Sequence, residues 1–62
     1  MKKLQTIKVY KTGDKDPFLA MVVDKFFVDE NYGILRLQNE HVILYLYEND
    51  WSYYKLFDYQ EL

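Results

Sequence analysis

His41 and Ser52 are the one histidine and the one serine of this chain, and any Ser-His-Asp chemistry would have to be assembled from them. A Ser-His-carboxylate relay needs the hydroxyl and the imidazole within hydrogen-bond reach. Reading "LRLQNEHVILYLYENDWSYYKLF", residues 35–57, as consecutive hairpins places His41 opposite Asp58 and Ser52 well away along the ribbon. A cross-strand His-Asp pair of this kind is a surface ion pair rather than half of a catalytic site. "DKD", Asp14 to Asp16, gathers two carboxylates, but it lacks the downstream ligands of a calcium loop and Pro17 cuts it short. It reads as turn chemistry. With no cysteine there is neither a thiolate metal site nor a disulfide, and no glycine-rich phosphate loop is present. The expectation is a non-enzyme with no catalytic residue, no metal and no cofactor.

What the chain holds in excess is rings: seven Tyr, four Phe and one Trp in 62 residues. A single domain spanning residues 1–62 lies near the lower size limit for autonomous folding. Large rings compensate, because each buries about 150–250 Å². Half of the residues are hydrophobic, and Gly and Pro are scarce, a composition that opposes disorder. The Met1-Lys2-Lys3 start is not followed by an apolar run, so neither a signal peptide nor a membrane span is expected, and a cytoplasmic location is. Charge is divided by position. Lys2, Lys3, Lys8 and Lys11 stand without an acid in the first eleven residues, whereas Glu40, Glu48, Asp50, Asp58 and Glu61 face Lys55 alone after residue 37. Ends of opposite charge pair as neighbouring strands or stay solvated; a basic arm for a polyanion is the sharper reading.

Those residues must be positioned by strands. Asn39-Glu40 and Asn49-Asp50 separate runs rich in β-branched and aromatic residues, and Asn suits tight turns. Ile34–Gln38, His41–Glu48 and Trp51–Asp58 therefore read as three consecutive antiparallel strands. "LQTIKVYK", Leu4–Lys11, alternates as a strand, and "TGDKDP" makes a loop. "PFLAMVVDKFFVDE" is ambiguous. Leu19, Val22, Val23, Phe26 and Phe27 fit helical spacing after an Asp16-Pro17 start, but the β-branched and aromatic content favours a strand. The fold class expected is all-β: a small five-stranded antiparallel meander forming an SH3-like or OB-like partly open barrel. The alternative is α+β, with residues 17–28 helical against a four-stranded sheet.

Two-residue turns fix which residues share a face. One face collects Leu35, Leu37, Val42, Leu44, Leu46, Tyr53 and Phe57 as the core. The other collects Ile34, Arg36, Ile43, Tyr45, Tyr47, Tyr54 and Leu56, where a one-layer sheet should be polar. Either the N-terminal strands cover that second face or it meets a partner. Trp51 is expected opposite Glu48 at the open end of a hairpin, partly exposed at the rim, or else plugging one end of the barrel.

"VDKFFVDENYGILRL", Val23 to Leu37, resembles the central hairpin of cold-shock and other OB-fold domains, in which an aromatic strand leads through a short turn into Tyr-Gly. The resemblance implies that Phe26, Tyr32 and Ile34 stack on bases. Glu30 and Asn31 stand where that family has basic and glycine residues, which removes positive charge that nucleic-acid binding needs.

The leading functional expectation is a binding module for another protein, or for a second copy of itself as a homo-oligomer, through Tyr45, Tyr47, Trp51 and Tyr54. By analogy with tiny acidic Tyr-rich proteins, it is the kind of phage or mobile-element product that inhibits a host protein. The second reading is an OB-like single-strand nucleic-acid binder using Lys8, Phe26 and Tyr32. The third is a structural or dimerising subunit of a larger assembly.

Overall fold

The computed structural model describes residues 4–59; Lys2, Lys3 and Glu61, counted above among the charges of the two ends, lie outside them. Six strands follow one another: β1 (Gln5–Tyr10), β2 (Leu19–Val23), β3 (Lys25–Asp29), β4 (Ile34–Gln38), β5 (Ile43–Leu46) and β6 (Tyr53–Asp58). They form two three-stranded antiparallel sheets, β2-β1-β6 and β3-β4-β5. The class is all-β and partly open, as the residue pattern predicts. Residues 17–28 contain no helix. Val22, Val23, Phe26, Phe27 and Val28 settle that choice, since branched and aromatic side chains fit a pleated surface better than a helix. Asp24 bends the ambiguous segment, so one expected strand serves as two, β2 in the first sheet and β3 in the second. Among the described residues no helix is long and apolar enough to cross a membrane.

The two ends of opposite charge run side by side as β1 and β6. Their acids and bases are nevertheless not matched across the ladder. Lys8 lies directly opposite Lys55, and Asp58 lies opposite Gln5.

Local chemistry makes the turns. The Asp14 N–H donates to the Lys11 carbonyl at 3.1 Å, and Gly13 takes the positive φ, 83°, that a type II turn needs at its third residue. "DKD" therefore belongs to a loop between β1 and β2. Between β3 and β4, Asp29 Oδ1 accepts the N–H groups of Asn31 (3.0 Å) and Tyr32 (3.3 Å). Gly33 closes that turn at φ 67°. A Cβ there would come within 3.2 Å of the Glu48 side chain, so glycine also permits the Tyr47–Asp50 turn to dock against this one.

Asn39 is a turn residue as expected, in a longer turn than expected. Gln38 pairs with Ile43, leaving residues 39–42 as the loop. Asn39 Oδ1 accepts the N–H groups of His41 (2.8 Å) and Val42 (3.0 Å), while its Nδ2 donates to the Val22 carbonyl at 2.9 Å. One side chain thus satisfies the loop and ties it to β2. The register moves by two residues, which preserves side-chain alternation. Leu35, Leu37, Leu44 and Leu46 stay on the core face, whereas Val42 is in the loop and exposed.

The larger correction concerns β6. It does not form a hairpin with β5. The Tyr47–Asp50 turn is closed by the Asp50 N–H on the Tyr47 carbonyl (2.7 Å) and by the Tyr47 N–H on Asp50 Oδ2 (3.3 Å). The chain then crosses to the other sheet, where the Ser52 N–H donates to the Tyr10 carbonyl at 2.9 Å. The expected His41–Asp58 and Glu48–Trp51 pairs therefore do not form. Pairing with β1 instead of β5 also inverts the faces of β6: Tyr54 and Leu56 turn to the core, while Tyr53 and Phe57 turn out.

Ile7, Val9, Val23, Leu35, Leu37 and Leu46 are the buried centre. Around them pack Leu19, Met21, Phe26, Val28, Leu44, Trp51, Tyr54 and Leu56. Phe26 from one sheet meets Tyr54 from the other edge-on at 5.6 Å between centroids, and Trp51 lies 6.3 Å from Tyr54. Edge-to-face rings contribute beyond their buried area. Part of the chain's wealth of rings thus serves to extend a short aliphatic core.

Candidate functional site

Alternation along each strand gives the β3-β4-β5 sheet an outer face built in rows. Phe27 lies opposite Arg36, and Arg36 opposite Tyr45. Lys25, Gln38 and Ile43 form the row beside it. Tyr47, one residue beyond β5, continues the alternation. On this face Phe27 is 61% exposed, Tyr47 57%, Ile43 53% and Tyr45 48%. Among the described residues none of these rings is stacked on another ring or covered by a cation. Arg36, half-buried in their midst, donates from Nη2 to Gln38 Oε1 at 2.7 Å. The face offers apolar area without a cover, with one cationic group at its centre.

The outer face of β2-β1-β6 contains rings of a different kind. Tyr10 and Tyr53, cross-strand partners, stack at 4.8 Å with planes 1° apart. The Lys8 ammonium sits 5.1 Å over Phe57, Lys55 sits 5.2 Å over Tyr10, and in the flanking loop Lys11 sits 5.3 Å over Phe18. Aliphatic lysine stems cover apolar area while the charged heads remain in water. Those rings are partnered within the chain.

The residues singled out from sequence distribute unevenly over this structure. Tyr45 and Tyr47 are exposed on the expected face. Tyr54 and Trp51 are not with them: both are half-buried against the core, and the Trp51 Nε1–H donates to the Gly33 carbonyl at 3.0 Å. Trp51 stands between the two alternatives raised for it, neither enclosed nor free, pinning the link before β6 to the β3–β4 turn. Lys8, Phe26 and Tyr32 occupy three separate places. Lys8 is on the outer face of β1, Phe26 points into the core, and Tyr32 is exposed in the β3–β4 turn. The cold-shock resemblance therefore places Phe26 on the wrong side of β3; the outward ring is its neighbour Phe27. The signal for Phe27 was within reach. Counting "ENYG", residues 30–33, as a four-residue loop puts Asp29 opposite Ile34, and hence Phe27 opposite Arg36.

His41 is exposed in the β4–β5 loop, while the Ser52 hydroxyl accepts from Thr12 Oγ1 at 2.8 Å beside the end of β1. The two share no hydrogen bond. Among the described residues no cluster of three His, Asp or Glu side chains is placed to hold a metal ion. Comparison with protein-family models, with curated proteins and with solved structures finds no match for this chain.

Proposed function

We propose that this chain is a non-enzymatic protein-binding module, working in the cytoplasm, that meets its partner with the outer face of β3-β4-β5. One observation carries the reading: Phe27, Ile43, Tyr45 and Tyr47 share one face, each about half exposed or more, with no ring or cation laid over them among the described residues. Contiguous apolar area on a small domain marks an interaction site, and aromatic residues with Arg are the types enriched at interface centres. Tyr supplies rigid area with a polar tip. Trp51 and Tyr54 support the face from behind, holding β6 and the β3–β4 turn in place.

The test is a Tyr45→Ser, Phe27→Ser double variant of the full chain, scored for capture of a partner from the native host and for thermal unfolding. Lost capture with unchanged unfolding supports the module. Unchanged capture overturns it. Light scattering on the wild-type chain assigns the partner: a dimer that the double variant dissolves makes it a second copy, and so a dimerising subunit. Inhibition of a host protein by a phage-type product is the finer form of the proposal, tested by assaying the captured protein with and without the chain.

A second reading, single-strand nucleic-acid binding, is favoured by the other face, where Lys8, Lys55 and Lys11 alternate with Tyr53, Phe57 and Phe18. Binding to a short oligonucleotide that weakens steeply with salt and is lost in Lys8→Gln, Lys55→Gln would place function there.

A further inference from the structure

Where the chain bends at Asp24 between the two sheets, a cleft of about 530 Å³ opens beside the proposed docking face. Its walls include Gln5 of β1, Asp24 at the bend, Lys25 and Phe27 of β3, and Arg36 and Gln38 of β4. We propose that this cleft is a subsite for a carboxylate on the partner's docking segment, with Arg36 and Lys25 as the groups that bind it. The inference rests on the reading of the β3-β4-β5 face as the docking surface, and it assigns the partner's chemistry: an acidic residue next to an apolar one.

Three observations converge on it. The first is charge. Two cations, Lys25 and Arg36, line the cleft against a single carboxylate, Asp24, in a chain whose net charge is −2. The second is hydrogen-bonding capacity. A guanidinium carries five N–H donors in a planar fork matched to carboxylate. Here Nη2 donates to Gln38 Oε1 at 2.7 Å, and among the described residues no second acceptor is bonded to the guanidinium. A guanidinium with donors to spare at the wall of a cleft is suited to an acceptor supplied by a ligand. The third is continuity. Phe27 and Arg36 belong both to the cleft and to the central row of the exposed face, so one segment lying along Phe27 and Tyr45 delivers its acidic group to Arg36. The volume falls within the range of about 300–1,000 Å³ typical of ligand sites.

The lysines of the other sheet do not compete for this role. Lys8, Lys11 and Lys55 each lie over a ring of their own chain. Lys25 and Arg36 are not over any ring among the described residues.

The experiment is an NMR titration of the full chain with three probes. The first is an acetylated, amidated hexapeptide alternating leucine and glutamate. The second has glutamine in place of glutamate. The third is the glutamine peptide with a free C-terminal carboxylate. The glutamate peptide is expected to move the amide signals of residues 24–27 and 36–38 and to bind about tenfold more tightly than its glutamine counterpart. The third probe shows whether a chain end serves as well as a side chain. Arg36→Gln should erase that preference. Because Arg36 is half-buried, Lys25→Gln, at an exposed position, is the second variant and should cut the preference by about threefold. Phe27→Ser should weaken both peptides alike. Equal binding of the glutamate and glutamine peptides overturns the carboxylate subsite while leaving the docking face standing. Absence of binding by all three also overturns it, and the Tyr45→Ser, Phe27→Ser capture experiment then judges the face separately. A short oligothymidine that moves the same signals more strongly than the glutamate peptide overturns it in favour of phosphate.

Discussion

The two outer faces of this molecule are built from the same residue types and handled in opposite ways. On β2-β1-β6 the Lys8 ammonium lies over Phe57, and Tyr10 is buried under Tyr53 and Lys55. On β3-β4-β5 the rings of Phe27, Tyr45 and Tyr47 stand around a half-buried arginine with no ring or cation over them among the described residues. The difference teaches that exposed aromatic area is not itself a sign of function. A ring whose face is taken by a neighbouring ammonium or a second ring is already stabilising the fold; a ring with nothing over it is available for a further contact.

The sharpest way to break this comparison is to remove a ring that belongs to neither outer face. Tyr54 was expected among the interaction residues, yet it bridges the sheets through Phe26. Tyr54→Ser should cost about 3–5 kcal/mol. That is comparable with the whole stability of a domain this small, roughly 3–5 kcal/mol. Thermal unfolding should show a chain largely unfolded at 25 °C. A folded variant that merely loses a partner would return Tyr54 to the surface.

Next in size is the bare face. Tyr45→Ser with Phe27→Ser should weaken partner binding by about 2 kcal/mol or more, close to thirtyfold. Each substitution alone should move stability by less than about 0.5 kcal/mol, as exposed positions do. A matched pair of calorimetric binding and melting curves checks both halves. On the covered face the order reverses. Tyr53→Ala breaks the stack on Tyr10 and uncovers that buried ring, so it should lower stability by about 1–2 kcal/mol and leave binding unchanged. Denaturant titration with the binding assay in parallel would expose any error.

The smallest effect is expected at Lys55→Gln. It removes a cation–π contact worth about 0.5–1 kcal/mol. It also relieves the direct opposition of Lys8 and Lys55 across the ladder, worth a similar amount of about 0.2–1 kcal/mol. The two nearly cancel, so a melting shift within about 2 °C follows for a domain of this size. A clear stabilisation would mean that repulsion dominates and that the lysines are kept for something other than covering rings.

The residue pattern alone favoured the all-β class over α+β, and determined the strand β4 to its exact bounds in residues 34–38, the turn positions at Asn39 and in "TGDKDP", and the division of Leu35, Leu37, Leu44 and Leu46 from Ile43, Tyr45 and Tyr47. These follow from local chemistry: side chains alternate with period two, and Asn, Asp and Gly impose turns through their own hydrogen bonds and positive φ. A register error of two residues at Asn39 left the faces intact for the same reason. Only the tertiary structure decided where β6 goes. Turn residues show that a chain reverses, not which strand it next lies beside, and Asn49-Asp50 are as compatible with a change of sheet as with a hairpin. Pairing with β1 reversed every side chain of β6 at once, moving Tyr54 inward and Tyr53 and Phe57 outward. Nor could alternation alone separate covered rings from bare ones. That depends on which lysines lie across the ladder from them, a property of neighbours brought together from opposite ends of the chain.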